Sequence, residues 1–159
     1  MYDARTVARS IIERASELQI NITNLKLQKL LYIVHGTMLA AFERPLLNTG
    51  FSAWKYGPVV ESLYHDLKVF GADSIKTSDF YIQQWPRIPK VDEEANHVID
   101  DVLGHFGKKT GASLVEWSHD KNGPWHAAYQ DKTKGTGISN DEIQKFFKEQ
   151  VVKVKRPQA

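Results

Sequence analysis

The sequence predicts a mainly α, compact single-domain helical bundle of about six to seven helices, with a small β-hairpin near residues 46–54. Apolar residues recur three and four apart along several separate stretches, the period that lines one face of an α-helix. Cap-forming residues precede those stretches, and glycine or proline follows them. Extended patterning is confined to the short pieces either side of Asn48 to Gly50 and to a few residues near Phe80.

Ala4, Val7, Ala8, Ile11, Ile12, Ala15 and Leu18 form the first stripe, and Asp3 stands where an N-cap satisfies the first free amides. Thr23 caps a second helix with Leu27, Leu30, Leu31, Val34, Met38, Ala41 and Phe42 on its apolar face. Leu25, Ile33 and Leu39 widen that face, which places this helix at the centre of the fold. It stops before Pro45, because proline disfavours helix in the residue ahead of it. Leu46 to Trp54 reads as two extended pieces about a turn at Asn48–Gly50. Gly57–Pro58 reads as a helix start with proline at the first helical position, followed by the stripe Val60, Leu63, Tyr64, Leu67 and Phe70 and a stop at Gly71. Residues 72–89 carry Pro86 and Pro89 without a sustained period, a loop with one extended stretch near Phe80–Ile82.

Asp92, Glu93 and Glu94 precede Ala95, Val98, Ile99, Val102, Leu103 and Phe106, and Lys108 and Lys109 follow, so charge complements the helix dipole at both ends. A shorter helix runs from about Ala112 to His119, and Pro124 starts another turn carrying Trp125 and Tyr129. Lys132–Gly137 reads as a polar linker. Ser139 with Glu142 makes a capping box, and Ile138 with Ile143 the staple around it, for a last helix that buries Ile143, Phe146 and Phe147. Residues 1–150 read as one domain and 151–159 as a basic, frayed tail.

The 159 residues, 42% hydrophobic and 25% charged, have the composition of one globular domain. A chain of this length buries roughly 70% of the surface that its unfolded form exposes, enough to fold without staples. The absence of cysteine excludes disulfides, a thiol nucleophile, iron–sulfur clusters and Cys-ligated zinc, and makes a reducing cytoplasm the expected location. The net charge of +2 gives no field that argues by itself for nucleic acid. The first twenty residues contain no continuous apolar stretch of the signal-peptide kind, and no apolar run reaches the ~18 residues of a membrane span.

The sequence lacks a phosphate-cradling loop, a dinucleotide fingerprint, a G-x-S-x-G elbow and an H-E-x-x-H pair. His35, the pair His65–Asp66, and Asp100 or Asp101 occur in the order used by metal-dependent phosphohydrolases of the HD class. Against that reading, His65 and Asp66 fall on the solvated side of a helix whose core face is Leu63, Tyr64, Leu67 and Phe70, and His35 fits a satisfied buried histidine. His119 and His126 flank Asp120 and Trp125, which allows a metal or acid–base site; the structural reading, with His119 ending a helix and Trp125 plugging the core, is preferred. Lys26, Lys29, Arg44, Lys55 and Lys68 with Tyr32, Trp54 and Tyr56 suggest a basic face interleaved with aromatics, as single-stranded nucleic acid requires. Core use of those aromatics is the stronger alternative.

Three blocks go beyond periodicity: Thr23-Asn24-Leu25-Lys26-Leu27-Gln28-Lys29-Leu30-Leu31-Tyr32; Ala53-Trp54-Lys55-Tyr56-Gly57-Pro58-Val59 with Tyr64 and Gly71; and Leu114, Ser118, His119, Trp125 and Ala128 with Ile138, Ile143 and Phe147. In these blocks, which span nearly all of the chain, the sequence resembles the Panacea antitoxin domain, also called the SocA-like or GepA-like (phage-associated) domain. Ser118 stands where threonine is usual, and Asn122 and Gly123 lengthen the loop before Pro124. The resemblance implies a helical domain without catalytic activity or cofactor that neutralises a toxin encoded in the neighbouring gene by binding it. One type in the family delivers its toxin to a cytoplasmic protease, which adds a protease as an implied partner. Some members carry a DNA-binding segment, which is not expected here, where the first helix is read to start at about Ala4. The residues carried over are Lys26, Gln28, Lys29, Tyr32, Trp54, Tyr56, Gly57, Pro58, Tyr64, His119 and Trp125, as motif and structural positions rather than catalytic ones. Trp54, Tyr56, Gly57 and Pro58 are expected to turn the chain into the third helix. His119 is expected to act as a hydrogen-bonding strut beside Trp125, whose Nε1 seeks a carbonyl or hydroxyl.

Overall fold

In the computed structural model, which describes residues 1–87, 89–131 and 135–152, helix α2 (Asn24–Phe42) is the axis about which the other elements pack. Around it stand α1 (Ala4–Glu17), α5 (Glu93–Phe106), α6 (Gly111–Ser118) and α8 (Asn140–Phe146). The shorter α3 (Glu61–Leu67), α4 (Phe80–Gln83) and α7 (Pro124–Ala128) complete eight α-helices among the described residues. Strands β1 (Phe51–Trp54), β2 (Gly57–Val59) and β3 (Thr136–Ile138) form an antiparallel sheet in the order β2-β1-β3. The fold is mainly α, as the periodicities predict.

The axis is central because almost no side of α2 is polar. Leu27, Leu30, Leu31, Ile33, Val34 and Met38 are all buried, so neighbours must cover the helix all round. The chain just past α8 approaches closely: a Cβ on Gly36 would lie 2.3 Å from the Phe147 ring. The expected caps form, each satisfying an amide left free by the helix start. Asp3 accepts from the Arg5 amide, Thr23 from Lys26, Asp92 from Ala95 and Ser139 from Glu142. No described helix is long and apolar enough to cross a membrane.

The hairpin lies further along the chain than the sequence suggests. β1 pairs not with 46–47 but with β2, Trp54 opposite Gly57, so the turn is Lys55–Tyr56. Gly57 takes φ +102°, a conformation glycine adopts freely, and Pro58 is tolerated because β2 is an edge strand. Gly-Pro therefore serves a strand here, and α3 begins only at Glu61. Leu47 instead bridges in parallel to Tyr2 at the N-terminus.

Two further expectations are corrected. Phe80–Gln83 is a helical turn rather than an extended stretch, its C-terminal carbonyls held by the buried Arg9, whose Nη1 donates to Ile82 O at 3.1 Å and Trp85 O at 2.6 Å. Thr136 and Gly137, read as the end of a linker, instead form β3 with Ile138, paired to Phe51–Ala53. The linker's residues 132–134, and the basic tail from 153 on, lie outside the described residues. After α8 the chain continues in a π-helical turn, Phe147–Val151.

Candidate functional site

The first two turns of α2 lie under the hairpin, and their polar side chains tie it down. Gln28 is fully buried; its Oε1 accepts from the Val60 amide at 3.0 Å and its Nε2 donates to Asn24 Oδ1 at 3.1 Å. Asn24 Nδ2 in turn donates to Tyr64 O at 3.2 Å. This i,i+4 pair holds the start of α3, where Val60 at the N-cap offers no capping side chain. Lys29, also fully buried, donates from Nζ to Pro58 O at 3.0 Å. Burial disfavours the charged ammonium and pushes it down to about 7. Gly57 closes over this lysine: a Cβ there would lie 2.7 Å from Lys29 Cε and 2.6 Å from Ser118 Oγ.

Trp54 presents its ring edge-on to Tyr64, with centroids 4.9 Å apart, and its carbonyl accepts from Trp125 Nε1 at 2.8 Å. Pro124 starts α7 and aims that indole as the sequence anticipates. Trp125 sits in a three-ring stack, 3.7 Å from His119 at 8° and 4.8 Å from Tyr129 at 19°. The strut expectation for His119 is corrected on this geometry: among the described residues its Nε2 is buried without a hydrogen-bond partner, so the imidazole works by stacking. Burial, with the positive charges of Lys29 and His126, pushes it below the usual histidine range.

These elements enclose an open cleft of about 780 Å³. Its walls are largely apolar, from Leu25, Trp54, Tyr56, Val59, Tyr64 and Tyr129. Lys55, Lys68 and His65 stand exposed at its edge. Among the described residues, no aspartate or glutamate lines it.

Of the eleven motif positions, Gln28, Lys29, Trp54, Tyr56 and Tyr64 line this cleft, and Gly57, Pro58, Trp125 and His119 support it from behind. Tyr32 lies apart in the core, edge-on to Phe51 and Phe147. Lys26 is buried to 8% exposure outside the lining set, its ammonium pushed down by desolvation. Sequence reasoning did not single out Asn24, Leu25 or Tyr129 for the cleft; the polar i,i+4 pair Asn24–Gln28 on an otherwise apolar helix was the available signal.

The metal constellation does not assemble among the described residues. His35 is buried, with Nε2 donating to Asn140 Oδ1 at 2.9 Å and Nδ1 facing the Leu47 amide at 3.4 Å. Asp100 binds Arg14 at 2.5 Å, and Asp101 faces His105 at 3.6 Å. Among the described residues no three His, Asp or Glu side chains gather where they could hold a metal ion. The basic face assembles in part: Lys55, Lys68, Trp54 and Tyr56 meet at the cleft, whereas Lys29 and Tyr32 are out of solvent and Arg44 is tied to Asp92 and Glu94.

The family model described as "Antitoxin SocA-like, Panacea domain" matches residues 27–126, from the axis helix through the hairpin to the His119–Trp125 stack. The chain belongs to this family. Antitoxin SocA of Caulobacter vibrioides (strain NA1000 / CB15N) is 38% identical over 128 residues, covering 77% of this chain and 68% of that protein. No solved structure matches the chain. Ten of the eleven motif positions lie inside the matched SocA-like region, and Lys26 lies one residue before it. Membership in an antitoxin family supports an antitoxin role for the chain.

Proposed function

We propose that this SocA-like Panacea domain is a non-catalytic cytoplasmic antitoxin that neutralises a cognate toxin, encoded by a neighbouring gene, by binding it directly. The observation that carries this reading is the 38% identity to a curated antitoxin. The structure supports it in a second way. The motif residues that could have served chemistry are occupied in holding the scaffold: Gln28 and Lys29 bond backbone groups, and His119 and Trp125 stack. What they hold open is a concave, apolar, solvent-facing surface, which suits binding. The adaptor role implied by the family, in which the captured toxin passes to a cytoplasmic protease, belongs to the same proposal and requires a second surface.

Expression of the neighbouring gene alone should arrest growth, and co-expression with this chain should restore it. The two products should co-purify as a complex. Growth unaffected by the neighbour, or rescue without any complex, overturns direct neutralisation. Persistence of the toxin in cells lacking each cytoplasmic protease in turn, with rapid loss in the parent strain, checks the adaptor step.

A further inference from the structure

We propose that the cleft between α2, the β1–β2 hairpin and α3 is the toxin-docking site, and that it receives an acidic segment of the toxin: a short stretch with an aromatic or leucine-like side chain flanked by aspartate or glutamate. This inference rests on the antitoxin reading above and names the surface and the chemistry of the partner.

Shape comes first. At about 780 Å³ the cleft has the volume of a recognition pocket, within the range of about 300–1,000 Å³ that such sites occupy. Its apolar walls are already wet: Tyr56 is 58% exposed and Leu25 36%, although both are large side chains that burial would stabilise. A partner's apolar side chain entering between Trp54, Tyr56 and Tyr64 removes that surface from water, and aromatic residues at such centres carry a disproportionate share of binding energy.

Charge then selects the partner. The chain carries 21 basic and 19 acidic side chains, close to balance, yet among the described residues the cleft is lined by three lysines, one histidine and no carboxylate. The nearest acidic neighbour along α3, Asp66, lines a separate depression on the other side with Asp3. Lys55 and Lys68 at the edge are exposed, and Lys29 below the floor adds no negative charge in either protonation state. A cationic segment would meet repulsion at each edge, whereas a segment with flanking carboxylates is steered in and held. Two exposed lysines suit a few carboxylates. A nucleic-acid strand needs a train of cations along its backbone, and the candidates for such a train, Lys29 and Arg44, are buried or already paired.

The test uses the full chain co-purified with the product of the neighbouring gene. Carbodiimide joins lysine amines to carboxylates only where they already touch. Mass spectrometry should therefore find Lys55 or Lys68 linked to an aspartate or glutamate beside an apolar residue of the toxin. The exposed-site variants Lys55→Glu/Lys68→Glu and Tyr56→Ala should each melt as the parent does. The charge reversal should weaken the complex by roughly tenfold or more and flatten its salt dependence, and Tyr56→Ala should speed dissociation. A complex that forms normally, with cross-links elsewhere and unchanged affinity in both variants, overturns the docking site while leaving direct neutralisation intact. A single-stranded RNA oligomer that binds the parent but not the charge reversal overturns it in favour of a nucleic-acid site. If no complex forms at all, direct neutralisation falls and the docking site falls with it.

Discussion

Lys29 Nζ and the Pro58 carbonyl oxygen lie 3.0 Å apart, with the lysine wholly out of solvent. This bond joins the L-Q-K-L-L-Y block of α2 to the A-W-x-Y-G-P-V block of the hairpin, two segments that share no periodicity. It also sets up a titration. The folded lysine titrates near 7, the unfolded one near its ordinary value of 10.5. Between those values the unfolded chain holds more protons, so stability rises with pH across that window; below it both states are protonated and this group contributes no slope.

Lys29→Met should therefore remove a rise in stability between roughly pH 7 and 9 that the parent shows. Lys26, also pushed down by burial, adds to the rise below 10.5 in parent and variant alike, so the difference between them isolates Lys29; Tyr32, with its phenol pushed up, lowers stability only above its ordinary value of 10, and His35 and His119, pushed down, act below 6.5. Urea midpoints at several pH values measure the difference. Equal slopes in parent and variant would show that the lysine is not desolvated as described.

Gly57→Ala should destabilise strongly, because two independent constraints meet there. A φ of +102° is strained for any L side chain, and the new methyl would meet Ser118 Oγ and Lys29 Cε. Strain alone is worth about 1–3 kcal/mol. Gly50→Ala is the control, with nothing within 4 Å of its added Cβ, and should stay within about 0.5 kcal/mol of the parent. Thermal melts of the two variants that coincide would contradict this account of the turn.

The elements legible in the sequence are those whose information is local. The α2 and α5 stripes and their caps Thr23 and Asp92 lie within a few turns of each other, so period and cap residue agree before any tertiary contact exists. The hairpin was displaced because Gly57–Pro58 fits both a helix start and the edge of a sheet, and only pairing with Trp54 decides between them. β3, three residues long, has no period to read and exists through Phe51, far back in the chain. The cleft was illegible for a related reason. Its blocks were recognisable, but a lysine and a glutamine on a helix read as solvated by default. That Gln28 and Lys29 point inward follows from backbone acceptors and donors at residues 58 and 60, which only the folded hairpin supplies.

Gln28→Ala should cost more than its lost packing. It strands the Val60 amide, buried at the start of α3, and leaves Asn24 Oδ1 without the Nε2 donor. Each such loss is worth about 1–3 kcal/mol when the remaining group cannot reach water. Gln28→Glu restores the acceptor for Val60 but loses the donor to Asn24, so it should fall between parent and alanine near neutral pH. Amide exchange at Val60 locates the effect: protection there should drop in the alanine variant before protection in the middle of α2 does. Uniform loss along both would mean the side chain is serving the core as a whole.

His119 offers a test in which the ordinary ranking of substitutions is inverted. Its ring lies 3.7 Å from Trp125 and nearly parallel to it, while Nε2 finds no hydrogen-bond partner among the described residues. A hydrogen-bonding histidine is best replaced by glutamine. A stacking histidine with a stranded nitrogen is best replaced by an aromatic ring, which keeps the contact and removes the unsatisfied polar group. His119→Phe should thus match or exceed the parent's stability. His119→Gln should lose the stack, worth about 0.5–1.5 kcal/mol, and His119→Ala should lose at least as much. Trp125 Nε1 still reaches Trp54 O in all three, so fluorescence of the folded state should change with the ring and not with the carbonyl bond. Should glutamine prove the mildest substitution, the imidazole is bonding rather than stacking, and the His119–Trp125 pair holds the hairpin through polar contacts instead.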